Sequence, residues 1–169
     1  MEVIKQEDNK IEALKKVSIF SDIKDNPAAM GIVVHMMEMK NYSAGSLLTV
    51  QGKEGSEFFV LINGTVSISK NTPEGDSYKV VVLKHDNYPS FGEGGLMDGE
   101  VRSATINCDT PVECMVLSKV KFNEFCDKNP QFALPVFRKI AQGLMLRLNQ
   151  TSNDLMLLHK ALMDEIRGS

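Results

Sequence analysis

Residues 42–118 alternate short apolar or β-branched runs with turns built on glycine, and this rhythm restricts the fold more than any other feature of the chain. Leu47-Leu48-Thr49-Val50 forms one run, and Glu57-Phe58-Phe59-Val60-Leu61-Ile62 forms the next. The second leads into Asn63-Gly64, a pair suited to the positive φ angles of a tight hairpin, and resumes as Thr65-Val66-Ser67-Ile68-Ser69. A polar stretch from Asn71 to Asp76 makes a longer hairpin loop before Tyr78–Leu83, and Val101–Asn107 and Val112–Leu117 complete the set. Short strands joined by tight glycine turns pair antiparallel with their sequence neighbours, so the chain predicts a mainly β fold, an antiparallel β-roll or jelly-roll-like barrel. No strand-helix-strand unit of about 30 residues occurs, which argues against a doubly wound dinucleotide fold.

The flanks read as helices. Ile4, Ile11, Leu14 and Val17 recur at helical spacing, and Asp25-Asn26-Pro27 is a helix start with a capping side chain ahead of proline. The helix that follows carries Ile32, Val33, Met36, Met37 and Met39 to about Lys40, its methionines acting as core padding. Ser118 caps a short helix through Phe122 and Phe125, and Asn129-Pro130 breaks it. Phe137, Ala141, Leu144, Leu148, Thr151, Leu155, Leu158 and Leu162 then alternate steps of four and three, read as the narrow seam of a parallel two-helix pair, the competing reading being a helix laid on the roll. The expected layout is one domain in three parts: N-terminal helices at 1–41, the β-roll at 42–118, and C-terminal helices with a homodimer helix at 119–169.

Charge and cysteine content exclude several classes. With 19 basic and 22 acidic residues the net charge is −3, which speaks against DNA or RNA as the main partner. Cys108, Cys114 and Cys126 are odd in number and lack metal-ligand spacing; Cys108 and Cys114 read as small apolar fillers on strands. The charged N-terminus does not suit a signal peptide, and no apolar run approaches the ~20 residues of a membrane span, so a cytoplasmic protein with no membrane contact is expected. His35, His85 and His159 are scattered, and Asp98 and Glu100 flank Gly99 as solvated turn residues, so no enzyme, metal or cofactor is expected.

The chemistry concentrates at residues 91–105, Phe-Gly-Glu-Gly-Gly-Leu-Met-Asp-Gly-Glu-Val-Arg-Ser-Ala-Thr. Gly92 and Gly94 allow the backbone to approach a ligand closely, Glu93 can accept hydroxyl hydrogen bonds, and Arg102 can clamp a phosphate. A sugar hydroxyl a few ångströms from a phosphate describes a nucleotide. With no anion to meet, a buried Arg102 would need Glu93 as an ion-pair partner or would turn to solvent.

This stretch, the Gly45 and Gly52 turns, the Ile62-Asn63-Gly64-Thr65-Val66 hairpin and the long C-terminal helix together resemble the cyclic nucleotide-binding domain family. The likeness is greatest to the sensor half of the bacterial catabolite activator proteins and covers about Val17 to Leu162. Phe91-Gly92-Glu93 and Arg102-Ser103-Ala104-Thr105 fit the family's phosphate-binding cassette; Gly94 stands where a large aliphatic residue is usual. The resemblance implies that Glu93 accepts the ribose 2′-hydroxyl, Arg102 pairs with the cyclic phosphate, Ser103 and Ala104 border it, and backbone amides at Gly92–Gly94 face it. Arg147-Leu148-Asn149-Gln150-Thr151-Ser152 is similar to the family's central helix, which implies that Thr151 of one chain and Ser152 of its dimer partner read adenine. The implied ligand is cyclic AMP, with cyclic GMP or a cyclic dinucleotide as alternatives. No helix-turn-helix follows the seam, so the expected role is a sensor that signals to a protein partner rather than to DNA. The competing expectation is a dimerisation or docking protein that keeps only the fold.

Overall fold

The computed structural model describes residues 2–72, 74–97 and 101–168, with side chains from residue 9 onward. Helices α1 (Glu2–Lys15) and α2 (Pro27–Met36) lead into β1 (Glu38–Tyr42), β2 (Leu47–Thr49), β3 (Glu57–Asn63), β4 (Thr65–Asn71), β5 (Ser77–Lys84), β6 (Ser90–Phe91), β7 (Thr105–Cys108) and β8 (Val112–Ser118). Helices α3 (Lys119–Lys128) and α4 (Pro130–Gly168) close the chain. The strands form two antiparallel sheets, ordered β1-β8-β3-β6 and β2-β7-β4-β5, rather than one closed barrel. The β-roll with flanking helices is the architecture expected from the strand rhythm.

The run Glu57–Ile62 shows how one strand serves two cores. Successive side chains leave a strand on opposite faces. Phe58 and Val60 pack outward with Leu14, Phe20, Met30, Met115, Leu117 and Phe122, beneath the helices. Phe59 and Leu61 point inward with Val66, Phe91, Ile106, Cys114 and Val116, between the sheets. A strand covered on both faces needs no polar alternation, which is why this segment reads as continuous hydrophobic sequence. Phe20 meets Phe58 edge-on at 6.4 Å, and Phe59 stacks on Phe91 at 5.5 Å.

Several sequence signals act as expected. The Asn26 side chain accepts from the Ala29 N–H at 3.1 Å to start α2, and Ser118 caps α3. Gly64 turns the β3–β4 hairpin at φ +94°. Two readings need correction. Helix α2 stops at Met36, and Met39 and Lys40 belong to β1, because pairing Met39 with Met115 and Lys40 with Cys114 on β8 outweighs a weak helical preference. The strand expected over Val101–Asn107 begins only at Thr105; Val101 makes a lone bridge to Glu54, and the backbone at 102 is held by a turn instead. Asp98, Gly99 and Glu100 lie outside the described residues. No helix of the described residues is long and apolar enough to cross a membrane.

Two measurements test this packing. A Cβ at Gly64 would stand 2.4 Å from the Pro111 carbonyl oxygen at a positive φ, so Gly64→Ala should cost roughly 1–3 kcal/mol in urea unfolding. Burial pushes the Cys114 thiol from 9.0 up to about 12 and also raises Cys108. Native protein at pH 8 should therefore leave both unreactive toward a disulfide reagent, while denatured protein reacts fully. The unfolded thiols ionise first, so stability should fall as pH rises above about 9.

Candidate ligand-binding site

Arg102 is held from behind before its side chain does anything. Its N–H donates to the Lys53 carbonyl at 2.8 Å, and its own carbonyl accepts from Gly52 N–H at 2.9 Å. Thr49 Oγ1 donates to the Ala104 carbonyl at 3.1 Å, and Thr105 Oγ1 accepts from the Gln51 N–H at 3.0 Å. These four bonds lace residues 102–105 to residues 49–53, and they explain why that stretch leaves regular strand geometry.

The Arg102 side chain then turns inward and is only 8% exposed. One terminal nitrogen donates to the Glu57 carbonyl at 2.6 Å and the other to the Gly92 carbonyl at 3.2 Å. Its guanidinium carbon lies 6.0 Å from the centre of the Phe59 ring. A cation costs much to bury, and carbonyl dipoles with an aromatic face offset part of that cost. Three glycines make the space. A Cβ at Gly55 would meet Arg102 Nε at 1.9 Å, one at Gly92 would meet Nη1 at 2.9 Å, and one at Gly95 would meet Nη1 at 2.7 Å.

Glu93 opens the short 3-10 turn Glu93–Leu96, with Gly92 ahead of it at φ +81°. Its largely buried carboxylate forms an ion pair with Arg147 of α4. The Glu93–Arg102 ion pair considered from the sequence is replaced by this contact to α4, because Arg102 is drawn into the glycine cradle.

Gly92, Glu93, Gly94, Arg102, Ser103 and Ala104 all line one cavity of about 420 Å³. Its remaining wall is largely apolar, with Ile68, Val81, Leu83 and Ile106 from β4, β5 and β7. A small polar end and an apolar wall are what a nucleotide-sized ligand requires. Thr151 and Ser152 are not brought to this cavity; they lie exposed on α4, one turn beyond Arg147. Arg147, Gly55 and Gly95 were missed by sequence reasoning. Arg147 could have been found from its position four residues before Thr151 on the same side of a helix, and Gly95 from its place in the Gly-Glu-Gly-Gly run. Gly55 carries no local signal, since its neighbour is distant in sequence.

Comparison with known proteins decides the family. A family model described as a cyclic nucleotide-binding domain matches residues 39–129, which hold the cradle and every cavity residue of the roll. The chain belongs to the cyclic nucleotide-binding domain family. This domain is similar to human cGMP-dependent protein kinase 2, 29% identical over 113 residues, covering 66% of the chain and 14% of the kinase. It is likewise similar to the cAMP-activated global transcriptional regulator of Pasteurella multocida, 28% identical over 113 residues, covering 66% of the chain and 53% of the regulator. The chain thus spans between about a seventh and about half of these relatives. A solved cyclic nucleotide-binding domain from Methylobacillus flagellatus shares the fold, with TM-score 0.73 at 19% identity over 90% of this chain and 83% of that one.

The cradle is testable in isolation. Gly55→Ala should cost roughly 1–3 kcal/mol in chemical unfolding, since the guanidinium must leave its seat. Gly143→Ala on α4, whose added Cβ meets nothing within 4 Å, should be neutral or slightly stabilising.

Proposed function

We propose that this domain is a sensor of a 3′,5′-cyclic nucleotide, cyclic AMP in the first place, that works as a homodimer and signals along α4 to a protein partner. The observation that carries the reading is the convergence of Arg102, Ser103, Glu93 and the glycine turn on one cavity of about 420 Å³ with an apolar wall. In this reading the cyclic phosphate meets Arg102 and the Ser103 hydroxyl, and Glu93 accepts the ribose 2′-hydroxyl. Ile68, Val81, Leu83 and Ile106 enclose the base.

The Glu93–Arg147 ion pair supplies the coupling. A ribose hydroxyl that engages Glu93 enters the contact by which α4 is tied to the roll. Ligand occupancy and helix position are then linked, and the linkage is reciprocal.

Helix α4 supports the dimer. Leu144, Leu148, Leu155, Leu158 and Leu162 are exposed along its seam, between 46% and 68% of their full surface. A seam of that length is covered when a second copy packs against it. Pairing there would place Thr151 of one chain and Ser152 of the partner against the base, and the buried hydroxyl would gain a partner. Free, buried Cys108 and Cys114 suit a reducing cytoplasm. The reading is of a regulatory module with no catalytic residue. Cyclic GMP is the second reading, favoured by likeness to a cGMP-dependent kinase and by the Ser103 hydroxyl beside Arg102.

Isothermal titration should show cyclic AMP binding, and Arg102→Ala should weaken it by at least about tenfold. No heat and no thermal shift at millimolar cyclic AMP and cyclic GMP would favour a docking protein that keeps only the fold. For the dimer, light scattering should give twice the chain mass for the native protein, and the chain mass for the double variant Leu148→Glu, Leu155→Glu. A native monomer removes the coupling through paired helices.

A further inference from the structure

Helix α4 carries a second exposed apolar row beside the dimer seam. Met145, Met156 and Met163 are separated by about three and about two helical turns, so they stand on one side of the helix. All three are exposed, between 37% and 69% of their full surface. At about 100° per residue, the row lies roughly a quarter turn round the helix from the Leu144–Leu162 seam. A two-stranded pair closes over one seam and leaves the outer sides of its helices in solvent, where polar residues are the norm. A methionine row there is surface left for another contact.

Charge decides what that contact can be. Arg138, Lys160 and Arg167 lie within about 40° of the methionine row. Asp154 and Glu165 lie on the opposite side of the helix, and Asp164 falls beyond the cations, so cations stand nearest the methionines. A second copy laid on this face would bring three cations against three cations, and like charges set face to face suppress such a pairing. A helix whose apolar stripe is flanked by glutamate or aspartate meets the methionines and the cations together. Methionine is unbranched and adapts to the shape of the side chains packed on it.

We propose that this face of α4 is the docking surface for the protein partner, and that the partner presents an amphipathic helix with acidic flanks. The proposal rests on the reading of α4 as the output of a paired sensor and names the surface through which it acts. Met145 stands two residues before Arg147, so the docked helix begins where the Glu93 tether meets α4.

The test uses the full chain and two synthetic helical peptides of three heptads each. Both carry leucine at the a and d positions; one has glutamate and the other lysine at e and g. In fluorescence anisotropy at low salt, the glutamate peptide should bind at least about tenfold more tightly than the lysine peptide, with the difference shrinking at high salt. Lys160→Gln, Arg167→Gln should reduce that preference. Met156→Glu, Met163→Glu should weaken the glutamate peptide by at least about tenfold. Glutamate is a good helix former, so light scattering of that variant should still give twice the chain mass, and its cyclic AMP titration should match the native one. Binding of neither peptide, equal binding of both, or binding that survives Met156→Glu, Met163→Glu overturns the docking surface, while the cyclic AMP titration decides the sensor reading separately. A native assembly of four chains that this variant halves also overturns it, because the occupant is then a second copy. So does a fall from two chain masses to one on adding peptide, because the peptide has then taken the dimer seam. A native monomer overturns the paired-helix reading instead. Loss of peptide binding in Met156→Glu, Met163→Glu would then still support the docking surface, and its persistence would overturn that too.

Discussion

Everything around the cavity depends on the seating of one guanidinium. Arg102 enters the protein because Gly55, Gly92 and Gly95 leave room for it, and because the Glu57 and Gly92 carbonyls point at it. Remove the space and the cation must go elsewhere. Leave the space empty and three glycines stand without a packing partner. The two halves of this arrangement come from turns far apart in sequence, so the cradle exists only when β3, the 91–95 turn and the 101–105 segment are assembled together. The outward half of β3 packs under the helices while its inward half backs the cradle, which ties the stability of the site to that of the domain.

The second organising contact is Glu93 with Arg147. It joins the most glycine-rich turn of the roll to the longest helix. Only the first part of α4 is held by the core: Ala133, Val136 and Ile140 are buried, whereas the large apolar residues from Leu144 onward are exposed. Helix α4 is therefore anchored at its start and tethered by an ion pair about two turns later. A contact at that point has leverage over the exposed length beyond it, which is the physical basis for reading α4 as the output of the domain.

The roll was legible because local chemistry and tertiary pairing agree there. Asn63-Gly64 marks a hairpin by its backbone preferences alone, and Phe58-Phe59-Val60-Leu61 is apolar enough to require cover on both faces. Edge strand β1 was hidden, because Glu38-Met39-Lys40-Asn41-Tyr42 has little strand character of its own and becomes a strand by pairing with β8. Residues 101–104 were mistaken for strand because Val101 and Thr105 favour that geometry, while the bonds that bend the backbone come from the Gly52–Lys53 turn.

For the site the division follows the range of the forces involved. Residue chemistry within one segment named Glu93, Arg102, Ser103 and the glycines, since an anion-binding turn needs those groups close together along the chain. The partner of each group was a matter of three-dimensional packing. Glu93 found Arg147 rather than Arg102, Arg102 found two carbonyls and a phenyl ring, and Gly55 was kept small by a side chain 47 positions away in sequence. Sequence by itself determined the polar groups that the 92–104 segment brings to the cavity, because that depends on side-chain chemistry and short-range backbone freedom. Only the tertiary structure decided which of them face one another, because buried charges pair with whatever the packed fold sets within hydrogen-bond reach.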